Sequence, residues 1–168
     1  MTKTLEPTLE EIREEAAITK RILERVPADK LSWKPHPKSM SLGQLALHVA
    51  SIPGGLTKLL QLDEFDVSQA NFNPPPPKNV EEIHATLEQS VQAAEDYVGG
   101  MSEQAAQASW RLMAQGKQVF NKPRIVVLRS IMLNHWYHHR GQLSVYLRML
   151  EVPVPAIYGR SADENPFG

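Results

Sequence analysis

The stretch that most constrains this chain runs from Pro123 to Leu150, "PRIVVLRSIMLNHWYHHRGQLSVYLRML". After its first residue it contains no proline, and its apolar residues recur at threes and fours, the spacing of a helix with one buried face. Pro123 suits a first helical position, and "VPVP" (152–155) stops the run. A helix of this length extends about 40 Å and must cover its apolar stripe with other helices.

The rest of the chain offers such partners. In "PTLEEIREEAA", Thr8 and Glu11 form a capping pair, and Leu9, Ile12, Ala16 and Leu23 recur at helical spacing, which predicts a helix to about Val26. Ser41 with Gln44 opens a second helix carrying Leu42, Leu45, Val49 and Ile52, which Pro53-Gly54-Gly55 is expected to end or kink before a short continuation over 56–62. Asn79 with Glu82 opens a third, stopped at Gly99-Gly100. Between 101 and 122 the periodicity is weak and reads as a helical turn followed by a loop or extended piece around Trp110 to Phe120. "PPPP" (74–77) cannot be helical and reads as a stiff surface connector, with a lid over a pocket as the other reading. Four helical segments with long crossovers and no convincing strand pairs predict an all-α, four-helix bundle in a single domain over residues 1–168.

Composition limits the chemistry. The chain has no cysteine, so any metal must be held by histidine, carboxylate or water. The net charge is −1 and the basic residues are interspersed with acidic ones, which argues against a nucleic-acid partner. No run approaches the ~20 apolar residues of a membrane span, and the acidic amino terminus resembles no targeting segment, so a cytoplasmic location is expected.

Three of the six histidines fall within five residues, at His135, His138 and His139. On a wheel of ~100° per residue with His135 at zero, the apolar stripe of the last helix centres near +20° to +30°. His135 and His139 straddle it, and His138 lies at its edge. Two core-facing imidazoles would each bury polar nitrogens at a cost of about 1–3 kcal/mol unless a partner satisfies them. A divalent ion reached from i and i+4 is one solution, and hydrogen bonding to neighbours is another. A metal would need a third ligand. His48, mid-helix beside Leu45 and Ile52, is the best placed; His36 sits in a proline-flanked loop and His84 in the first turns of the third helix.

The residues "SMSLGQLALHVA" around His48, followed some ninety residues later by "NHWYHHRGQL", resemble the DinB-like superfamily. The resemblance implies a four-helix bundle with a divalent metal held by His48, His135 and His139, and leaves His138 outside the ligand set. Some members resemble thiol-dependent transferases or isomerases; with a metal position left open to water or a thiol, the expectation is a metal-dependent enzyme, either a thiol S-transferase or a small-molecule hydrolase. In some members the cosubstrate is a low-molecular-weight thiol such as bacillithiol, mycothiol or glutathione, so a small-molecule substrate is expected.

Three imidazoles suit zinc or nickel. Gln44, Gln142 and Tyr146 are placed by helical adjacency to orient ligands, and no residue stands out as a general base. The alternative is a non-catalytic bundle that a metal merely stabilises, or a stress-related binding module. Val126, Leu133 and Tyr137, opposite the histidines, form a second apolar surface from which a homodimer is expected.

Overall fold

The computed structural model describes residues 3–71 and 74–168, so Phe72 and Asn73 of the proline-rich connector lie outside the described residues. The fold is mostly helical. Three long helices, α1 (Glu6–Leu23), α2 (Leu42–Leu60) and α3 (Val80–Gly100), pack with a fourth helical run that comprises α5 (Arg124–Val127), a π-helical segment (Leu128–Leu133) and α6 (Asn134–Met149); the run lies mainly against α2 and also against α1, and α3 packs on α1 and α2. A short α4 (Glu103–Gln107) follows α3. The shared core includes Ile12 and Ile22 from α1, Leu45 and Val49 from α2, Ile83 and Val98 from α3, and Trp136, Leu143 and Leu147 from α6.

The helix starts follow capping chemistry, with one exception. Ser41 and Gln44 form a complete capping box on α2, and Asn79 accepts the Glu82 backbone N–H on α3. α1 instead begins two residues before Thr8, behind Leu5, with no side-chain cap. Pro7 in the first turn supplies a pre-set φ, and burial of Leu5 and Thr8 draws that turn onto the core.

Pro53-Gly54-Gly55 does not end α2, which runs unbroken through it. Packing overrides the local break. A Cβ on Gly54 would lie 2.9 Å from the Ser90 Cα, so glycine lets α2 and α3 approach backbone to backbone. The Gly54 amide donates to Ser90 Oγ at 2.8 Å, and Thr57 Oγ1 donates to the Pro53 carbonyl at 2.9 Å.

The region expected to lack strand pairing folds into a small sheet of order β1-β2-β3, with β1 Glu64–Asp66, β2 Ser109–Ala114 and β3 Lys117–Pro123. β1 runs parallel to β2, and β2 pairs antiparallel with β3 across the two-residue turn Gln115-Gly116. Both turn residues have positive φ, 52° and 74°, as a type I′ hairpin turn requires. Asp66 fastens β1 to that turn by accepting the Gln115 and Gly116 amides at 3.1 and 2.9 Å.

Arg124 joins the sheet to the bundle. Its buried guanidinium donates to the carbonyls of Leu60, Leu62 and Ser109 and to Asp63, which satisfies carbonyls at the carboxyl end of α2.

The π-helical segment corrects the helical wheel. One extra residue per turn shifts the phase of everything before it, so Leu128 and Ile125 cannot be projected onto α6 at 100° per residue. The buried residues of α6 itself are Trp136, Arg140, Leu143 and Leu147, which centre near +110° on that wheel. The histidines therefore occupy the flank of the core stripe and are half-buried.

Leu133 is fully buried, and the Tyr137 hydroxyl donates to Glu11 at 2.7 Å. Of the residues from which a homodimer is expected, Leu133 is thus part of the chain's own core and Tyr137 is bound to α1. Only Val126 of that set stays exposed.

Candidate metal centre

His48 projects from the middle of α2 toward the start of α6, where His135 and His139 stand one turn apart. One ring nitrogen from each lies within 4.8 Å of the other two. The rings meet edge to face, with centroids 5.2 Å apart for His48–His135, 4.5 Å for His48–His139 and 4.4 Å for His135–His139. His138 is exposed and outside this trio, 4.9 Å from the His139 ring. His36 is exposed in its loop and His84 lies on α3, both apart from the trio.

The His48 and His135 Nε2 atoms are 3.0 Å apart. Two neutral imidazoles can meet so closely only if one carries a proton on that nitrogen, because two lone pairs would otherwise face each other. A cation between them removes the repulsion from both. Tetrahedral nitrogen ligands about 2.1 Å from zinc stand about 3.4 Å from one another, so the trio needs only small side-chain adjustments to close on one ion.

Electrostatics favour ligand-ready nitrogens. Burial pushes His48 down to about 4, aided by the neighbouring charges of His139 and His135. Burial likewise brings His135 down to about 4, aided by His139 and His138. His139 is lowered mainly by burial, opposed by its bond to Gln142. Neutral imidazoles are the form that binds a metal. The residues present fit a divalent cation: three nitrogen donors, uncharged at neutral pH, with no thiolate or carboxylate in the set.

Of the three residues expected to orient ligands, one does so. Gln142 Oε1 lies 2.7 Å from His139 Nδ1, which as a donor to that oxygen leaves Nε2 free to face the other histidines. Gln44 is used elsewhere: its Oε1 accepts the Ser41 amide, and its Nε2 donates to the Pro74 carbonyl at 2.7 Å. Tyr146 stacks edge-on against Trp33 at 5.6 Å and reaches the Met40 carbonyl at 3.4 Å.

A cavity of about 570 Å³ opens on the trio, bordered by Met40, Ser51, Pro74, Glu82 and Thr86. Pro74 thus forms part of its wall, and Pro77 is buried near Gly43, where a Cβ would lie 3.1 Å from the proline ring. The proline run reads better as a pocket wall than as a bare surface connector. In the sequence Glu82 reads only as a helix-capping residue. Its place on the cavity wall could not be read from its own sequence neighbourhood, because α3 meets the trio only through the fold.

A second polar group, in which Arg140, Glu15 and Thr19 are buried and Tyr158 is exposed, ties α6 to α1 beside His139. Arg140, next to His139, pairs with Glu15 at 2.5 Å and donates to Thr19 and to the Tyr158 hydroxyl. Tyr158 in turn donates to Glu15 at 2.9 Å. The signal in the sequence was a charged residue within the core-facing positions of each helix, Glu15 between Ile12 and Ile22, and Arg140 between Trp136 and Leu143.

Comparison with known proteins places these features in context. A family model described as the DinB family matches residues 1–165. An uncharacterized protein, YrdA, of Bacillus subtilis is 26% identical over 171 residues, covering 98% of this chain and 93% of that protein. Among solved structures, a DinB-like protein of Bacillus cereus superposes with a TM-score of 0.70 at 21% identity, over 91% of this chain and 97% of the other. The DinB-like protein YjoA of Bacillus subtilis superposes at 0.69 with 15% identity, over 92% and 99%. At these identities the solved structures establish the shared fold.

Proposed function

Because this chain belongs to the DinB family and gathers His48, His135 and His139 around one point, we propose that it is a metal-dependent enzyme acting on a small molecule. The ligand set is those three histidines, and zinc or nickel is the ion that three imidazoles suit best. The observation that carries the reading is the cavity of about 570 Å³ in front of the trio. A closed structural metal needs no such space, whereas a catalytic one keeps a position open to it.

An ion held there supplies Lewis acidity, which makes a water or a low-molecular-weight thiol acidic enough to act as a nucleophile near neutral pH. The chain's own groups do the rest. Gln142 fixes the His139 ring so that Nε2 faces the cavity. Glu82 is the carboxylate on the cavity wall among the described residues, placed to accept a proton or hold a substrate N–H, while Ser51 and Thr86 offer hydroxyls. Leu47 and Met40 line the same cavity and displace water from it.

Of the two reaction classes, thiol S-transfer asks less of the protein. A hydrolase would be expected to hold a base close to its nucleophile, and Glu82 sits on α3, across the cavity from α6.

The test is elemental analysis of untagged protein, followed by assay of the zinc- and nickel-loaded forms with bacillithiol, mycothiol or glutathione and monochlorobimane, in which the thiol sulfur displaces chloride. Stoichiometric metal with turnover that disappears in His48→Ala and His139→Ala supports the reading. Metal whose removal lowers the melting temperature, with no turnover of thiol or ester substrates, supports a non-catalytic, metal-stabilised bundle instead. Failure to bind metal under replete conditions removes both.

A further inference from the structure

His135 belongs to two cavities. Besides the polar one, it borders a second of about 280 Å³ in which every other lining side chain is apolar. That cavity lies between the carboxyl-terminal half of α2, through Leu56 and Leu59, the sheet, through Phe65 and Leu112, and the π-helical segment, through Ile131 and Met132. Trp110, also in the wall, commits its indole N–H to the Leu59 carbonyl at 3.2 Å. Among the described residues, the one polar side chain facing the space is therefore the imidazole of a candidate metal ligand.

The proportions argue for a ligand. Well-packed cores leave few voids larger than a water molecule, and an apolar cavity of about 150 Å³ is enough to stay dry and bind benzene. A cavity of about 280 Å³ accommodates an aromatic ring with a substituent or a chain of roughly six carbons. Waters filling it would find one polar side chain in the wall, His135, where buried waters are usually held by about three hydrogen bonds to otherwise unsatisfied protein groups.

We propose that this cavity holds the apolar part of the substrate, with the reactive head at the histidine trio. This rests on the metal-centre reading above and deepens it: the substrate class is a small amphiphile, a metal-seeking head joined to a hydrocarbon or aryl group. The sheet then has a functional place, since Phe65, Trp110 and Leu112 form the side of the cavity that the four helices leave open. The π-helical segment has one too. It supplies Ile131 and Met132 to the apolar cavity immediately before the chain presents His135 to both.

The experiment uses straight-chain hydroxamic acids, whose head group binds divalent metals, titrated calorimetrically into zinc-loaded protein. Acetohydroxamate, too short to enter the cavity, reports head-group binding. Affinity should rise about fourfold per added methylene, the equivalent of about 0.8 kcal/mol each, and level off near six to eight carbons. Ala70→Phe and, separately, Leu112→Trp fill the cavity from half-buried positions and should flatten the dependence on chain length, judged within each variant against its own acetohydroxamate value.

If acetohydroxamate binds but length brings no gain, or the gain survives both filled variants, the proposal is overturned while the metal reading stands. If no hydroxamate binds the zinc-loaded protein, the ion has no position open to a substrate head and the catalytic reading fails, and toluene added to metal-free protein decides about the cavity. A shift in Trp110 fluorescence that Ala70→Phe abolishes supports an apolar ligand site, and no shift overturns it.

Discussion

His48 and His135, 87 residues apart in sequence, face each other with their Nε2 atoms 3.0 Å apart across the α2–α6 interface. Both are neutral at physiological pH because burial disfavours their charged forms. An ordinary imidazole at about pH 6 would carry roughly three-quarters of a proton and release it on binding a metal. These two, lowered to about 4, have almost none to release. His139, lowered as well but against the pull of its Gln142 bond, is the ligand left with a fraction of a proton to give up, so zinc titrations in buffers of different ionisation enthalpy at that pH should show well under one proton released per zinc. A release of about two, as three ordinary imidazoles would give, would show them to be charged beforehand.

The same shift sets the direction of the acid response of the metal-free protein. The folded pKa lies below the unfolded one, so the unfolded chain takes up protons first as pH falls from about 6.5. Stability should therefore be lost between that pH and about 4, and saturating zinc should raise stability by a nearly constant amount over that window without flattening the loss, because the zinc-bound imidazoles take up no protons. Chemical denaturation at a series of pH values checks the sign; a metal-free protein that gains stability over the same interval would contradict it.

Gln142 holds His139 by its far nitrogen. Gln142→Ala should weaken zinc binding by about 10- to 100-fold, as loss of partners behind a metal ligand commonly does, with little change in unfolding of the metal-free protein because Gln142 is exposed. Competition against a chromophoric chelator measures it, and an unchanged affinity would remove Gln142 from the site.

Much of the trio was legible because helices make spacing meaningful: His135 and His139 are four apart, and His48 follows a capping box that fixes where α2 begins. The core-facing side of α6 was not legible. The π-helical segment puts upstream apolar residues out of phase, and Arg140 disguises a buried position as a surface one. The sheet escaped because β1 has three residues and pairs with a strand some 45 positions away, so no local alternation announces it. The Gln115-Gly116 hairpin turn was its one local mark. Pro53-Gly54-Gly55 misled in the other direction, since the contact with Ser90 that stabilises an unbroken helix is also remote in sequence.

Arg140→Ala should be the most damaging surface-to-core error in the sequence. It strips a buried carboxylate of its partner, and breaking a buried pair from one side typically costs about 3–5 kcal/mol. Arg140→Met, combined with Glu15→Leu, should recover much of that loss by removing both charges. Urea denaturation of the three variants would decide; a double variant as unstable as Arg140→Ala would show that the charges themselves are required.

Gly54→Ala places a methyl group against the Ser90 backbone. Overpacking of this kind costs about 1–3 kcal/mol, although alanine is otherwise the better helix former. Gly55→Ala, where nothing lies within 4 Å, should instead be neutral or stabilising. Thermal melts of the pair separate packing from propensity, and equal behaviour would mean that the helices do not meet as closely as described.

The π-helical segment from Leu128 to Leu133 also has a meaning in inheritance. A helix that carries a surplus residue can lose it without breaking: deletion of one residue would restore ordinary α-helical turns and leave His135 and His139 on nearly the same face relative to the residues before them, because the widened turn has already absorbed that residue's rotation of about 100°. What such a deletion would remove is the widened turn that carries Ile131 and Met132 along the apolar cavity, so the histidine cluster and that cavity are separable features of one helix.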